Sequence, residues 1–309
     1  MIVVSGEALV DLVVSPGGQV DARLGGGPYN AARTLARLGA ETTFFDGIAD
    51  DQFGRQLRAR LAADGVLIGV PEPSARPTTL ALVAVDEAGV ASYSFYLDGT
   101  SAADLGYDAL RKALPADVTA VLVGALGLVM EPIGGALERL VVSDVPTGAL
   151  VLLDPNCRPG AIADRDGYWR RIAAVAGRAD IVKASAEDLE YLYPGLPAEE
   201  AARALLDAGP RLVLVTDGPR PGRAFLPGTV LAEAVPPVPV ADTIGAGDAF
   251  GGGFLAWWAA HGLGRADLHR ADAVGQALKA AVAVAALTCT RPGADPPTLA
   301  EVRARDWWP

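Results

Sequence analysis

The run ADTIGAGDAFGGGFLAWW, residues Ala241–Trp258, places five glycines and two aspartates ahead of an apolar, aromatic segment. Aromatic residues recur in it at four-residue spacing, which predicts a helix, and the preceding residues Leu231–Val240 have an extended pattern. Gly245, Ala246 and Gly247 are therefore predicted to form a strand-to-helix turn. Because the first amides of a helix are unpaired and its dipole is positive there, this turn is a candidate anion site.

Asp248 follows this turn directly, where a carboxylate would repel a stored phosphate. Its position is explained if a hydroxyl must lose its proton while attacking phosphorus, so Asp248 is predicted to be a general base. Two other nucleotide loops are excluded by their spelling, because the chain has no G-x-x-x-x-G-K-[ST] and Phe250 replaces the third glycine of G-x-G-x-x-G. Each of the glycines at 251–253, inside the predicted helix, lowers helix stability by about 1 kcal/mol relative to alanine. Their presence indicates that a nucleotide or a facing helix approaches this helix closely.

Composition narrows the class of partner. The 309 residues include 26 basic and 37 acidic side chains, and the net charge of -11 argues against nucleic acid or anionic membranes and for a small-molecule substrate. Two cysteines and the absence of a basic-apolar leader predict a cytoplasmic protein. No apolar run approaches the roughly 20 residues of a membrane span. Two histidines leave almost no material for histidine-based metal or triad chemistry.

Apolar, β-branched runs alternate with segments of helical period, which predicts an α/β fold with a doubly wound, mostly parallel sheet. Residues Pro28–Leu38 are predicted to form one crossover helix, and Asp51 is predicted to cap another. The predicted central strands are Ile2–Ser5, Thr42–Asp46, Ala120–Gly124, Leu150–Asp154, Asp180–Lys183 and Leu212–Thr216.

One region interrupts this alternation. Residues Thr78–Gly99 are predicted to form a hairpin of two alternating strands around the turn at 87–89. Together with the alternating segments Val10–Val14 and Gln19–Leu24, the hairpin is expected to form a small separate sheet over one end of the main sheet, as a candidate lid. An extension of the main sheet at its edge is the alternative. A two-faced sheet can cover substrate with one face and a partner with the other, so a homodimer is also expected.

Two motifs about 200 residues apart identify a family resemblance. DTIGAGDAF closely resembles the C-terminal signature of the ribokinase family, the PfkB-type carbohydrate kinases, and GGGPYNAARTLARLG (Gly25–Gly39) resembles the N-terminal one. Five shorter matches extend the resemblance over nearly the whole chain: GEALVD at 6–11, DDQFG at 50–54, DPNCRP at 154–159, VTDG at 215–218 and TRPGA at 290–294.

The resemblance implies a single ribokinase-like kinase domain over residues 1–309, with lid strands contributed by about 10–24 and 78–98. It implies an ATP- and Mg²⁺-dependent sugar kinase. The motifs are more similar to those of fructokinases and 2-keto-3-deoxygluconate kinases than to ribokinase, so fructose is the first expected substrate. Activity as a 2-keto-3-deoxygluconate kinase, a ribokinase or a nucleoside kinase is the alternative. A non-catalytic sugar-binding protein is an alternative of another class, against which the intact Asp248 argues.

Site residues follow from the matched positions. Asp248 resembles the catalytic base, and the amides of Gly245, Ala246 and Gly247 resemble the anion hole for the transferred phosphate. The resemblance implies four sugar-binding residues, Asp11, Gly26, Gly27 and Asn30. It also implies four nucleotide-binding residues, Lys183, Ser185, Thr216 and Gly218. Carboxylate and amide groups suit the sugar side because each can bond vicinal hydroxyls.

Three further substrate-side residues are candidates from their own chemistry. Arg158 follows a predicted strand end and offers planar, paired donors for phosphate oxygens or for an acidic group of the substrate. Phe95 and Tyr96 lie on the predicted lid hairpin, where an aromatic ring could stack on the apolar face of a sugar.

Two departures concern metal ions. The N-x-x-E motif that the family associates with Mg²⁺ is Ser185-Ala186-Glu187-Asp188 here, so Asp188 is expected to act on Mg²⁺ through water, as this ion keeps much of its hydration shell. Many relatives also bind a potassium-like ion through the loop bearing Asp242 and Ile244 and the segment around Gly293, and that ion is left open for this chain.

Overall fold

The computed structural model describes residues 1–85 and 91–309. Buried, β-branched or leucine-rich runs form most of its strands, as expected where a sheet is covered on both faces. Thirteen strands lie in these residues: β1 (Ile2–Ser5), β2 (Leu9–Val14), β3 (Val20–Gly25), β4 (Thr42–Phe45), β5 (Leu67–Ile68), β6 (Leu80–Val85), β7 (Ala91–Tyr96), β8 (Ala120–Gly124), β9 (Leu150–Asp154), β10 (Ile181–Ser185), β11 (Leu212–Thr216), β12 (Gly222–Leu226) and β13 (Thr229–Glu233).

Nine strands form the main sheet in the order β13-β12-β11-β10-β9-β8-β1-β4-β5. All neighbours from β11 to β5 pair in parallel, whereas β12 and β13 are antiparallel at one edge. The doubly wound fold and the six central strands are confirmed. The extended prediction for Leu231–Val240 is wrong beyond Glu233, because prolines at 236, 237 and 239 have no amide to donate to a ladder.

The other four strands form a separate sheet in the order β3-β2-β6-β7. Strand β2 pairs antiparallel with β3 and parallel with β6, and β6 pairs antiparallel with β7. The separate small sheet is confirmed, and the alternative of an edge extension is wrong. The turn predicted at Glu87-Ala88-Gly89 lies outside the described residues.

Helices cover both faces of the main sheet, and two clusters of buried apolar side chains fill the two interfaces. Several helices begin at a side-chain cap, and the predicted cap Asp51 accepts the Gly54 amide at 2.8 Å. The helices are α1 (Gly27–Arg37), α2 (Gln52–Ala63), α3 (Tyr107–Ala113), α4 (Ile133–Arg139), α5 (Arg165–Arg178), α6 (Ala186–Leu192), α7 (Ala198–Asp207), α8 (Ala246–Ala260), α9 (Ala271–Thr288) and α10 (Leu299–Arg303).

Helix α8 packs between α1 and α9, and two of its glycines make this packing close. A Cβ on Gly252 would lie 2.9 Å from the Thr34 Cβ of α1, and one on Gly253 would lie 3.0 Å from the Val284 Cβ of α9. Facing helices are therefore the reason for these two glycines. The packing fixes the N-termini of α1 and α8 near each other at one end of the sheet.

Helix α9 is, within the described part of the chain, the one helix long and apolar enough to cross a membrane by length and composition. Buried core helices of globular domains often have the same length and composition. In this fold 67% of the helix is buried against other elements, so packing accounts for its apolar residues.

Candidate active site

The glycine turn starts α8 at the end of the sheet where β9 and β10 also end. Gly245 is the N-cap and has a φ of 77°, a conformation that side chains disfavour. A Cβ on Gly245 would also lie 2.6 Å from the Cβ of Ala294. Both observations require glycine here. No side chain caps this N-terminus among the described residues, and the Ala246 amide donates to the Thr243 carbonyl at 3.2 Å.

Asp248 lies in the first turn of α8, directly beside this N-terminus. Its two carboxylate oxygens are held by two amides: the Asn30 Nδ2 donates to Oδ2 at 2.9 Å, and the Asn156 Nδ2 donates to Oδ1 at 3.4 Å. Burial raises the pKa of Asp248, while Lys183 and the Asn30 hydrogen bond oppose that shift. The two hydrogen bonds orient the carboxylate, and its raised pKa makes it a stronger base than an ordinary aspartate.

Lys183 carries the positive charge nearest the turn. Its Nζ donates to Asp154 Oδ2 at 2.9 Å and would lie 3.0 Å from a Cβ on Gly247. Burial disfavours the charged form, but the carboxylates of Asp154, Asp188 and Asp248 together outweigh burial and raise the pKa of Lys183. The lysine is therefore a buried ammonium group beside the anion site.

Asp154 itself carries one unused oxygen. Burial raises its pKa to about 6, although Lys183 opposes the shift. Its Oδ1 is buried and has no hydrogen-bond partner among the described residues. Since buried oxygens are rarely left unpaired, this atom is available to a water molecule or a ligand.

A cavity of about 310 Å³ opens on one side of Asp248. Its apolar wall comes from the small sheet, whose alternation turns Leu9 and Val13 of β2 inward together with Val83 of β6. Its polar wall carries six predicted residues and two that the sequence did not single out: Asp11, Gly26, Gly27, Asn30, Arg158 and Asp248, together with Glu7 and Asn156.

Glu7 supports the glycine turn at the start of α1. Its two oxygens accept the amides of Gly27 and Gly127 at 3.0 and 3.1 Å, and burial raises its pKa to about 8. Gly26, with a φ of 113°, could not carry a side chain, because a Cβ would lie 2.4 Å from the Glu7 carbonyl oxygen. An acid inside the apolar GEALVD run was the signal that could have identified Glu7.

Asp11 and Arg158 place opposite charges in this cavity. Burial raises the pKa of Asp11 to about 6, and the nearby Arg158 opposes the shift. The Arg158 Nη1 donates to the carbonyls of Asn156 and Cys157 in its own loop, at 3.2 and 3.1 Å. Arg158 lines the smaller cavity and is not among the residues lining the larger one.

Asn156 lies at the end of β9 with a φ of 41°, a strained conformation for a residue with a side chain. It lines both cavities and donates to Asp248. Asn156 belongs to the sequence motif DPNCRP, but the motif does not predict that this residue lies between the two cavities.

The aromatic residues of β7 are divided between the two faces of the small sheet. Phe95 lines the cavity and stacks on Tyr93 with ring centroids 6.2 Å apart. Tyr96 is 57% exposed and does not line the cavity, so the sequence interpretation that paired it with Phe95 needs correction. Successive residues of a strand face opposite ways, and Tyr93 is therefore the partner of Phe95.

A second cavity of about 650 Å³ opens on the other side of the turn. Lys183, Ser185, Thr216 and Gly218 line it, as the resemblance implied, together with Ala246 and Gly247. Its far wall is apolar and comes from the irregular segment after β13 and from α9: Val235, Pro236, Pro237, Val238, Val240, Val282, Ala285 and Ala286. Both cavities share Asn156, Lys183, Thr243 and Gly247, so they meet at the start of α8.

Asp188 lines the larger cavity but is also part of a helix cap. Its Oδ2 accepts the amide and hydroxyl of Ser185, both at 2.8 Å, and its Oδ1 accepts the Cys157 amide at 2.6 Å. Oδ2 thus uses both of its acceptor directions, and Oδ1 keeps one for water. Within the described residues no cluster of three or more His, Cys, Asp or Glu side chains could hold a metal ion directly.

Asp242 and Ile244 lie in the loop that leads to the turn. The Asp242 Oδ1 accepts the Ile244 amide at 3.1 Å, and its Oδ2 accepts the Gly293 amide at 2.9 Å. The loop and the segment around Gly293 are therefore in contact, as the resemblance implied. Ile244 also lines the smaller cavity.

The chain is similar to known carbohydrate kinases over most of its length. The pfkB family carbohydrate kinase profile matches residues 1–301. A fructokinase from Rhizobium leguminosarum bv. trifolii is 36% identical over 262 residues, covering 83% of this chain and 79% of the relative.

Two solved structures extend the similarity to the fold. One is a double mutant of fructokinase from Vibrio cholerae O395 in a form with bound fructose, ADP and potassium ion. Its TM-score is 0.86 at 26% identity, and the match covers 98% of this chain and 97% of that chain. Aminoimidazole riboside kinase from Salmonella enterica has a TM-score of 0.84 and 25% identity, with 98% of both chains covered.

Proposed function

Because the chain belongs to the pfkB family of carbohydrate kinases, we propose that it transfers the γ-phosphate of ATP to a hydroxyl of a ketose, with fructose as the first substrate. The observation that carries this proposal is the position of Asp248, which lies where the two cavities meet and beside the N-terminus of α8. The relatives named fructokinase support the choice of sugar.

In this proposal the smaller cavity holds the sugar. Its volume of about 310 Å³ is at the lower end for ligand pockets and suits a monosaccharide. Asp11 and Asn30 bind hydroxyls, and the Asn30 Oδ1, which is buried without a partner among the described residues, is free to accept one. Tyr93 and Phe95 cover an apolar face of the ring. Leu9, Val13 and Val83 exclude water from this side.

The larger cavity holds the nucleotide. Its apolar wall fits a purine ring, and Thr216 and Gly218 lie on the same cavity at the end of β11. Lys183 and the amides of the glycine turn lie at the end nearest Asp248, where the γ-phosphate must be for transfer. The buried ammonium and the helix N-terminus stabilise the charge that develops on the phosphate oxygens.

Asp248 then accepts the proton of the attacking hydroxyl. Its raised pKa makes it a better proton acceptor than an ordinary aspartate, and Asn30 and Asn156 fix the direction of its lone pairs. The acid must be deprotonated to act, so turnover falls as the pH falls through its pKa.

The residues present fit Mg²⁺ through water rather than through direct ligation. Asp188 lines the nucleotide cavity with each oxygen already accepting an amide, and Asp154 offers its unpaired Oδ1. When bound, Mg²⁺ neutralises charge on the β- and γ-phosphates. The protein positions the carboxylates for that purpose through the helix cap of α6 and the Lys183 ion pair.

A second candidate substrate follows from Arg158. Its guanidinium faces the smaller cavity and, among the described residues, donates only to carbonyls of its own loop. A keto-deoxy sugar acid would supply a carboxylate to pair with it. Arg158→Ala therefore distinguishes the candidates, because it should harm phosphorylation of the sugar acid far more than that of fructose.

We further propose a cytoplasmic homodimer. The outer face of the small sheet exposes Val20 and Tyr96, 61% and 57% exposed, and a second copy would cover them. Both cysteines are free thiols, which suits a reducing compartment. Sedimentation of the protein as a monomer at micromolar concentration would contradict the dimer.

The test of function is ATP consumption measured across ketoses, aldoses, keto-deoxy acids and nucleosides, with product identified by mass. We expect the highest kcat/KM with fructose. Sugar binding without any ATP consumption would instead favour the non-catalytic sugar-binding protein, and a nucleoside as the best substrate would refute the ketose assignment.

A further inference from the structure

An ion pair joins the small sheet to the loop that leads into the glycine turn. The Arg23 Nη1 of β3 donates to Asp242 Oδ2 at 3.1 Å, across 219 positions of the chain. Arg23 is 35% exposed and its Nε also donates to Asp21, on its own strand, at 2.8 Å. Asp242 lies three residues before Gly245, so the guanidinium contacts the loop that ends at the anion site.

Asp242 connects this contact to the segment that packs on the turn. Its Oδ2 accepts the amide of Gly293 as well as Arg23, and Ala294, the next residue, lies against Gly245. The Ala294 carbonyl is held in turn by the Nη1 of Arg33, a buried residue of α1, at 2.8 Å. The glycine turn is therefore positioned by a chain of contacts that begins at the small sheet.

The side-chain oxygens of Asp242, a residue that the resemblance assigns to a potassium-like ion, already accept hydrogen bonds, whereas no donor among the described residues reaches the carbonyls of Asp242 and Ile244. The two oxygens of Asp242 accept from Arg23, Gly293 and Ile244. The carbonyl of Cys289 accepts the amides of residues 241 and 242, and the Ala294 carbonyl accepts Arg33. A guanidinium also supplies the single positive charge that such an ion would bring. The carboxylate of Asp242 is therefore already paired with a positive charge, which a monovalent cation would otherwise supply.

We propose that Arg23 is a positioning residue for phosphoryl transfer, holding Asp242 and with it the glycine turn in place of a monovalent cation. The proposal rests on the proposed kinase function. It makes catalysis independent of potassium and couples the position of the small sheet to the geometry of the anion site. A charge on the sheet that covers the sugar thus helps to hold the site for the phosphate.

The test compares Arg23→Met with the matched control Asp21→Asn, which breaks the other ion pair of the same arginine. Rates are measured from zero to 100 mM KCl in buffer otherwise free of potassium and sodium, with choline chloride keeping the ionic strength constant. For the wild type and for Asp21→Asn we expect kcat to be independent of KCl. For Arg23→Met we expect kcat to fall about tenfold without KCl, as for the loss of one charge-assisted hydrogen bond, and to recover in part as KCl rises.

Two further measurements make the interpretation unambiguous. Arg23→Lys keeps the charge and should retain most of the wild-type kcat without KCl. Thermal unfolding of the substrate-free protein should show stabilisation by KCl over choline chloride in Arg23→Met and not in the wild type, and this measurement does not depend on the proposed function. Stimulation of the wild type by KCl, or an Arg23→Met variant that behaves like Asp21→Asn, would overturn the proposal.

Discussion

Replacing Asp248 by asparagine tests the proposed base with little other change to the site. Asparagine has the shape of aspartate, and its single carbonyl oxygen can still accept the shorter of the two amide contacts, from Asn30 at 2.9 Å. Only the weaker contact, from Asn156 at 3.4 Å, would then face an amide nitrogen. Binding of sugar and ATP should therefore stay within a few-fold. The lost step is proton acceptance, and kcat should fall about 10² to 10⁴-fold, which is ~2.7–5.4 kcal/mol in activation free energy.

The assay is steady-state ATP consumption with fructose, measured as a function of pH. Because burial raises the pKa of Asp248, wild-type kcat should decline with falling pH at higher pH than an ordinary aspartate would cause, and the variant should lack that decline. Asp11→Asn is the matched control, since it makes the same chemical change in the same cavity and should raise KM more than it lowers kcat. An Asp248→Asn enzyme that keeps more than a tenth of the wild-type kcat would refute the assignment.

Three other substitutions test the supporting structure. Gly245→Ala forces a side chain into a left-handed backbone conformation, which costs about 1–2 kcal/mol of stability, and places its Cβ against Ala294. Both kcat and the melting temperature should therefore fall. An unchanged kcat would contradict the turn geometry. Tyr93→Ala should raise KM for fructose while Tyr96→Ala should leave it unchanged, and equal effects would show that the two faces of β7 are wrongly assigned. Glu7→Gln replaces one of two acceptors by a donor. Above the Glu7 pKa of about 8, where Glu7 is ionised, denaturant unfolding should therefore show a loss of about 1–3 kcal/mol, and unaltered stability there would exclude this support.

The main sheet could be predicted because each of its central strands is a short, buried run with helical segments on both sides. The glycine turn could be predicted because its chemistry is local: two glycines, a helix start and Asp248 lie within four residues. Strand β12 was missed, and of β13 only the part from Leu231 to Glu233 lay in a segment predicted to be extended.

What could not be predicted depends on register and on contacts between distant residues. Tyr93 and Tyr96 are indistinguishable by residue type, and only the pairing of β6 with β7 shows which of them lies beside the cavity. The contact between Arg23 and Asp242 joins residues 219 positions apart, and no local sequence pattern predicts it. Asn156 lies in a motif that was noticed, but its role follows from the strained conformation that places it between the two cavities.

The position of β1 in the sheet has a consequence for synthesis of the protein. β1 leaves the ribosome well before its partner β8, which begins at Ala120. At about 5–20 residues per second, the nascent chain carries one edge of this apolar strand unpaired for roughly 6–24 s. An unpaired edge invites pairing with other chains, so the nascent protein should be a client of ribosome-associated chaperones until β8 emerges. Asp248 follows more than a hundred residues later, and the chain therefore becomes competent for chemistry only well after β8 has emerged.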